Sequence, residues 1–289
     1  MKGKSTGARI SLVLAMTIFG TIGIARKFIP LPSGMVAFAR GAIGMLFLLG
    51  ILLIRRERVE RCLLVRHLPM LILSGGLIGF NWILLFEAYR YTTVATATLC
   101  YYMAPLFVML LSPIILHERL TGKRIGCMVL AFIGMILVSG VIETGFGGIS
   151  ELSGVLFGLS AALLYASVVI LNQFLKEIPA FQKTAIQLGS AALVVLPYTL
   201  IVEPRITEPL AWYVLPLLIL VGILHTGIAY ALYFGSMKAL PAQTVALFSY
   251  LDPIVAILLS LIVLREPMTL LSAIGAVLIL GSTVLSERV

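Results

Sequence analysis

Residues 86–121 read FEAYRYTTVATATLCYYMAPLFVMLLSPIILHERLT, and residues 234–269 read FGSMKALPAQTVALFSYLDPIVAILLSLIVLREPMT. A shift of 148 positions lays Phe86 on Phe234, Arg90 on Lys238, Tyr102 on Tyr250, Pro105 on Pro253, Glu118 on Glu266 and Thr121 on Thr269. A fixed internal period marks a repeated structural unit. In a chain this apolar it implies two related halves with a binding site between them.

The bilayer is the solvent that composition demands. Of 289 residues, 61% are hydrophobic and 11% charged, and the mean hydropathy is +1.12. A soluble domain of this size needs more charge to cover its surface. Apolar runs long enough to cross a hydrocarbon core of ~30 Å recur throughout. They predict ten spans, at about 10–27, 34–54, 69–87, 93–116, 123–141, 153–174, 182–202, 211–234, 242–264 and 269–286. Roughly nine residues remain per connection, too few for a soluble domain.

The net charge of +9 suggests nucleic acid until its distribution is read. Lys and Arg cluster at span ends, where they set topology. With the N-terminus in the cytoplasm, fifteen fall inside: three in 1–9, five in 55–68, three in 117–124, two in 175–183, Lys238 and Arg288. Five fall outside, namely Arg26, Lys27, Arg90, Arg205 and Arg265, and Arg40 lies within a span. The bias predicts a multi-pass protein of the cytoplasmic (inner) membrane with both termini cytoplasmic, lipid as its surroundings and no nucleic-acid partner. The first span follows Lys2, Lys4 and Arg9 as a signal peptide would, but it lacks an A-x-A cleavage site and nine further spans follow, so it is expected to stay.

The halves run 1–146 and 147–289, five spans each. Five is odd, so the second half enters the membrane from the opposite side and the pair forms an inverted repeat. Gly75-x-x-x-Gly79, Gly122-x-x-x-Gly126 and Gly154-x-x-x-Gly158 are expected to let helix backbones approach closely. The fifth and tenth spans have the least polar middles and are assigned to the scaffold.

The blocks AYRYTTVATATLCYYMAPLFVMLLSPIILHERLTGKRIG and ALPAQTVALFSYLDPIVAILLSLIVLREPMTLLSAIG resemble the paired repeats of EamA-type transporters, of the drug/metabolite transporter superfamily. Small residues, a mid-helix proline and an apolar stretch ending in Glu and Leu/Met-Thr carry the resemblance, which covers essentially the whole chain. It implies an all-α integral membrane protein of ten transmembrane helices in a 5+5 inverted repeat, a central cavity and alternating access. Members of the family mostly export amino acids or other small metabolites; the resemblance carries no particular substrate.

Polar residues at mid-membrane depth are the candidates for a solute path. Pro105 and Pro253 each remove the bond to the carbonyl four residues earlier, beside Tyr101 and Tyr102 in one copy and Ser249 and Tyr250 in the other. Both are read as hinges flanked by binding groups, against the plainer reading of packing kinks. Asp252, whose repeat counterpart is Ala104, is either a proton-coupling carboxyl or a contact to a cationic group, or else an acid satisfied by neighbouring donors. Arg40 either holds a substrate carboxylate through a bidentate pair or bridges to Glu87, the bridge being favoured. Trp82, Phe86 and Tyr89 fall on one helical stripe, a lipid face or a cavity wall. Asn81, Tyr165, Asn172, Gln187, His225 and Tyr230 complete the substrate-binding candidates. Glu118 and Glu266, at opposite faces, are expected to be structural, accepting from amides or hydroxyls of the following helix near Thr121 and Thr269.

Enzymatic signatures are missing. His117-Glu118 does not extend to H-E-x-x-H, since position 121 is Thr, and no G-x-x-x-x-G-K-[ST] loop occurs. Cys62, Cys100 and Cys127 have neither disulfide nor metal-ligand spacing. No catalytic residue, metal or cofactor is therefore expected, and an ion or solute gradient must drive any flux. The expectation is a secondary transporter exporting a small polar metabolite, an amino acid first. The alternatives are a cation or drug exporter with Asp252 as counter-charge, and a non-transporting lipid-handling subunit.

Overall fold

The computed structural model describes residues 2–56, 61–92, 94–138, 141–144, 152–203, 209–263 and 269–286, and these contain helices and no strand. An apolar chain in lipid satisfies its backbone polar groups within each segment, which leaves the helix as its usual element. The first half comprises α1 (Lys2–Lys27), α2 (Ser33–Arg55), α3 (Arg61–Tyr91), α4 (Val94–Tyr101), α5 (Ala104–Ile115), α6 (Gly122–Val138) and the single turn α7 (Val141–Thr144). The second comprises α8 (Leu152–Phe174), α9 (Ala180–Val202), α10 (Val214–Leu220), a π-helical stretch (Val221–Ile228), α11 (Ala229–Ser236), α12 (Ala242–Phe248), α13 (Leu251–Val263) and α14 (Leu270–Ser286).

Among the described residues, seven segments are long and apolar enough to cross a membrane, against the ten expected. α6 and α14 have 17 described residues each, and the expected fourth and ninth spans each break, between Tyr101 and Ala104 and between Phe248 and Leu251. Apolar side chains on the outside of the bundle are strongly exposed, as at Ile54, Ile201 and Leu270, where a soluble protein would carry charge.

Helix contacts recur in related pairs. α3 packs on α8 as α11 packs on α1; α5 packs on α8 as α13 packs on α1; α3 packs on α9 as the π stretch packs on α2. α2 also packs on α9, and α6 on α14. Glycines permit the closest approaches. A Cβ at Gly75 would collide with the Gln187 carbonyl, and one at Gly79 would lie 2.8 Å from the Ala191 carbonyl. Gly158 meets Cys100 Cβ at 2.7 Å in the same sense. Gly122 and Gly126 differ from expectation: a Cβ at either would touch nothing within 4 Å, so that motif faces outward and mediates no internal contact. α6 is instead held to α14 through Gly134, whose Cβ would lie 2.7 Å from the Gly275 carbonyl.

Candidate functional site

Both proline-bearing spans break one turn before the proline. α4 stops at Tyr101, the Met103 amide donates to the Cys100 carbonyl three residues back (3.1 Å), and α5 restarts at Ala104. α12 stops at Phe248, the Tyr250 amide donates to Leu247 in the same i−3 pattern (3.3 Å), and α13 restarts at Leu251. Pro105 and Pro253 therefore occupy the first turn of a new helix, where a missing N–H costs least. Each break presents a helix N-terminus, the partially positive end of its dipole, inside the bundle. Asp252 lies in the first turn of α13, where that dipole favours an acidic side chain. It also accepts a 3.3 Å bond from the Tyr102 phenol, so a mid-depth carboxyl is held by two local features.

These breaks enclose a chamber of about 210 Å³. α1 supplies Met16, Phe19 and Ile22; α2 supplies Arg40; α3 supplies Trp82, Leu85 and Phe86. The first break adds Tyr101, Tyr102, Ala104 and Pro105, α8 adds Tyr165, α11 adds Tyr230, and the second break adds Ser249 and Asp252. The walls are aromatic and mutually braced. Phe19 meets Tyr230 edge-on at 5.1 Å, Trp82 meets Tyr230 at 6.3 Å, and Tyr101 lies 5.8 Å from Tyr165. Of the stripe of Trp82, Phe86 and Tyr89, the first two line this chamber and Tyr89 lines an adjoining pocket with Phe86. α6 and α14 contribute nothing to the lining.

Arg40 departs from the favoured expectation. Its guanidinium stacks over Trp82, 4.1 Å from the ring centroid, a cation–π contact. It forms no ion pair among the described residues, and its Nε is buried without a hydrogen-bond partner. Glu87 instead pairs with Arg90 at 2.9 Å and accepts from the Tyr198 phenol. The charge of Arg40 is left available to the chamber. Arg40 also lines an adjoining vestibule of about 250 Å³, with Arg26, Ser33 and Tyr89, which shares Ile22, Leu85 and Phe86 with the chamber. Arg26 there donates to the Ile29 and Leu31 carbonyls.

Several expected binding residues lie elsewhere. Asn172 and Gln187 are fully buried between α3, α8 and α9. Gln187 donates to Ser74 Oγ at 2.8 Å and to Asn172 Oδ1 at 3.3 Å, forming an interhelical polar cluster outside the chamber. His225 sits on the π stretch, 2.7 Å from Thr21 Oγ1, and does not line the chamber. Asn81 stands behind the wall, donating to the Ala161 carbonyl at 2.6 Å and facing the Tyr101 phenol at 3.5 Å. Tyr250 has no exposed surface, and its phenol donates to the Tyr102 carbonyl at 3.2 Å. Pro253 is likewise buried and forms no part of the lining.

Glu118 accepts from the amides of Ala242 (2.8 Å) and Gln243 (3.3 Å), capping α12 of the other half and not the helix that follows it. Gln243 continues the link, donating to Ser112 Oγ at 3.0 Å and accepting from Arg124 at 2.8 Å. Glu266 lies outside the described residues. Two features carried no signal in the sequence reading. Tyr233 accepts a 2.7 Å bond from Tyr165 behind the chamber, and the π turn brings Gly222 and Gly227 against Gly44 of α2.

The chamber thus lies between two proline-broken helices of an all-helical, strongly apolar bundle. The sequence profile of the EamA-like transporter family matches the chain twice, over residues 7–140 and 152–287. The chain belongs to that family and is a multi-pass membrane protein. An uncharacterized transporter of Bacillus subtilis (strain 168), YxxF, is 29% identical over 287 residues, covering 99% of this chain and 90% of that protein. An uncharacterized transporter of Archaeoglobus fulgidus is 27% identical, covering 96% and 95% respectively. The aromatic amino acid exporter YddG of Ancylobacter novellus is 26% identical over 74% of this chain and 75% of its own length. A protein of solved crystal structure superposes with a TM-score of 0.84 at 20% identity, over 98% of this chain and 97% of that one, and shares the fold.

Proposed function

We propose that the chain is a secondary transporter that exports an amino acid with an apolar or aromatic side chain by alternating access. The observation that carries this reading is the composition of one chamber: Arg40 and Asp252 together with a wall of Trp82, Tyr101, Tyr102, Tyr165 and Tyr230. Arg40 offers two donors to a carboxylate, Asp252 accepts from an ammonium, and the rings stack on the side chain. The volume is below the range of drug-sized pockets, and the guanidinium disfavours a cationic drug. The name of the relative from A. novellus agrees with the aromatic lining.

In this reading the ten spans form a 5+5 inverted repeat, the halves being 1–146 and 147–289. The chain lies in the cytoplasmic membrane with both termini in the cytoplasm. The paired contacts of the two halves and the doubled family match support that arrangement. Rocking at the breaks before Pro105 and Pro253 opens the chamber to each side in turn, driven by a proton or solute counter-gradient. The test is exchange in proteoliposomes preloaded with single amino acids. Saturable exchange of aromatic species, uncompeted by quaternary amines, is expected. A folded protein that exchanges no amino acid would defeat the proposal.

A further inference from the structure

The vestibule beside the chamber has a chemistry of its own. The turn between α1 and α2 contributes Arg26, Ile29 and Ser33 to its lining. Ile22, Arg40, Leu85 and Phe86 line both cavities and form the neck between them. At about 250 Å³ the vestibule is no smaller than the chamber, at about 210 Å³, so it admits a molecule of the same size.

The two cavities differ in charge. The chamber sets Arg40 against Asp252. The vestibule is lined by Arg26 and Arg40, and by no Asp or Glu. Glu203 takes no part in that lining; its two oxygens accept from the amides of Gly34 (2.7 Å) and Met35 (3.2 Å) at the start of α2. Two guanidinium groups in one cavity with largely apolar walls favour an anion. Arg26 is fixed there by donating through Nη1 to the Ile29 carbonyl (2.5 Å) and through Nη2 to the Leu31 carbonyl (2.8 Å) and Ser33 Oγ (3.4 Å). Those bonds use part of a five-donor fork and hold its charge at the cavity.

We infer that the vestibule is a second solute subsite, in which Arg26 takes over the carboxylate that Arg40 holds at the neck. Unlike the chamber, this subsite makes no demand for an ammonium group, so its ligand class is carboxylates with an apolar or aromatic body. The inference rests on the transport reading and adds a station to the path. In the orientation proposed above, the α1–α2 turn faces outward, the side on which an exporter releases its substrate.

The experiment is equilibrium binding to the full chain in phosphatidylcholine nanodiscs. The probes are radiolabelled L-phenylalanine and 3-phenylpropionate, which has the same body without the ammonium. Two equivalents of phenylalanine per chain are expected, and one of phenylpropionate, in the vestibule. Ser33→Trp fills the vestibule from a position that does not line the chamber. It should remove phenylpropionate binding and one of the two phenylalanine equivalents. Arg26→Gln keeps a side-chain donor for the turn carbonyls but removes the charge. Affinity for phenylpropionate should then fall roughly 10-fold or more, as for loss of a charge-assisted bond. One phenylalanine equivalent and no bound phenylpropionate would overturn the subsite and leave the transport reading standing. Phenylpropionate binding that survives both substitutions would also overturn it. No binding of either probe would remove the subsite together with the reading on which it rests.

Discussion

The phenol of Tyr250 donates to the main-chain carbonyl of Tyr102 at 3.2 Å, and the two residues are counterparts in the internal repeat, 148 positions apart. The two helix breaks thus meet, each one turn before its proline. The carbonyl involved lies in the turn between α4 and α5, where no helical amide replaces the donor. Tyr250→Phe leaves it buried and unpartnered, at a cost of about 1–3 kcal/mol. A lower Tm in detergent with unchanged helix content is the expected result, measurable by circular dichroism. An unchanged Tm would show that the break is held by other contacts.

The Tyr102–Asp252 bond, 3.3 Å long, also joins the two breaks. If Asp252 carries the coupling proton, Asp252→Asn keeps the size and a hydrogen-bond partner for Tyr102 but cannot ionise. Uptake driven by a pH gradient should be abolished, while exchange at equal pH on both sides persists. Retained pH-driven uptake would reassign Asp252 to contact with substrate or to structure.

Arg40 is held flat on Trp82. Arg40→Lys keeps the charge but loses the planar pair of donors. Charge-assisted bonds of this kind are worth about 1.5–3 kcal/mol, so affinity for a carboxylate substrate should fall roughly 10- to 100-fold. Substrates lacking the carboxylate should be little affected. Equal losses for both classes would argue that Arg40 shapes the wall and does not bind the carboxylate.

Periodicity and repetition made much of the fold legible. The aligned prolines marked both breaks, because proline's missing amide disrupts a helix wherever it lies. Trp82, Phe86 and Tyr89 were grouped correctly on one face by spacing, but spacing does not say which neighbour that face meets. The same limit explains Asn172 and Gln187. Their depth suggested a solute path, yet both turn toward Ser74 between α8, α9 and α3. Arg40 and Glu87 were matched by charge and depth alone, and the closer Arg90 and Tyr198 satisfy Glu87 instead. The π turn left no mark, since it depends on α2 passing Gly222 and Gly227, a contact fixed only by the assembled bundle.

The link between Glu118 and α12 joins the halves at the end opposite Arg26. A carboxylate accepting from helix amides complements the dipole as well as two unpaired N–H groups. Glu118→Ala removes both bonds and should cost about 0.5–2 kcal/mol, the range of a lost cap. The loss should be read as a lower Tm, with faster hydrogen exchange confined to the start of α12. Uniformly faster exchange would instead mean that the cap supports the whole bundle.

Adjacent glycines on α3 provide an internally controlled test of the packing. A Cβ at Gly75 would strike the Gln187 carbonyl and lie 2.6 Å from Ser190 Cβ, both on α9, whereas one at Gly76 would find its nearest neighbour, Val194 Cγ2, at 4.0 Å. Backbone and a short side chain at the N-terminal half of α9 cannot yield without moving the helix. Moving it would strain the Ser74–Gln187 bond at the same crossing. Gly75→Ala should therefore destabilise by about 1–3 kcal/mol, the usual cost of overpacking. Gly76→Ala should be neutral or slightly stabilising, since alanine is the better helix former. Parallel Tm measurements in one detergent decide the matter, and equal values for the two variants would mean that α3 and α9 do not approach as described.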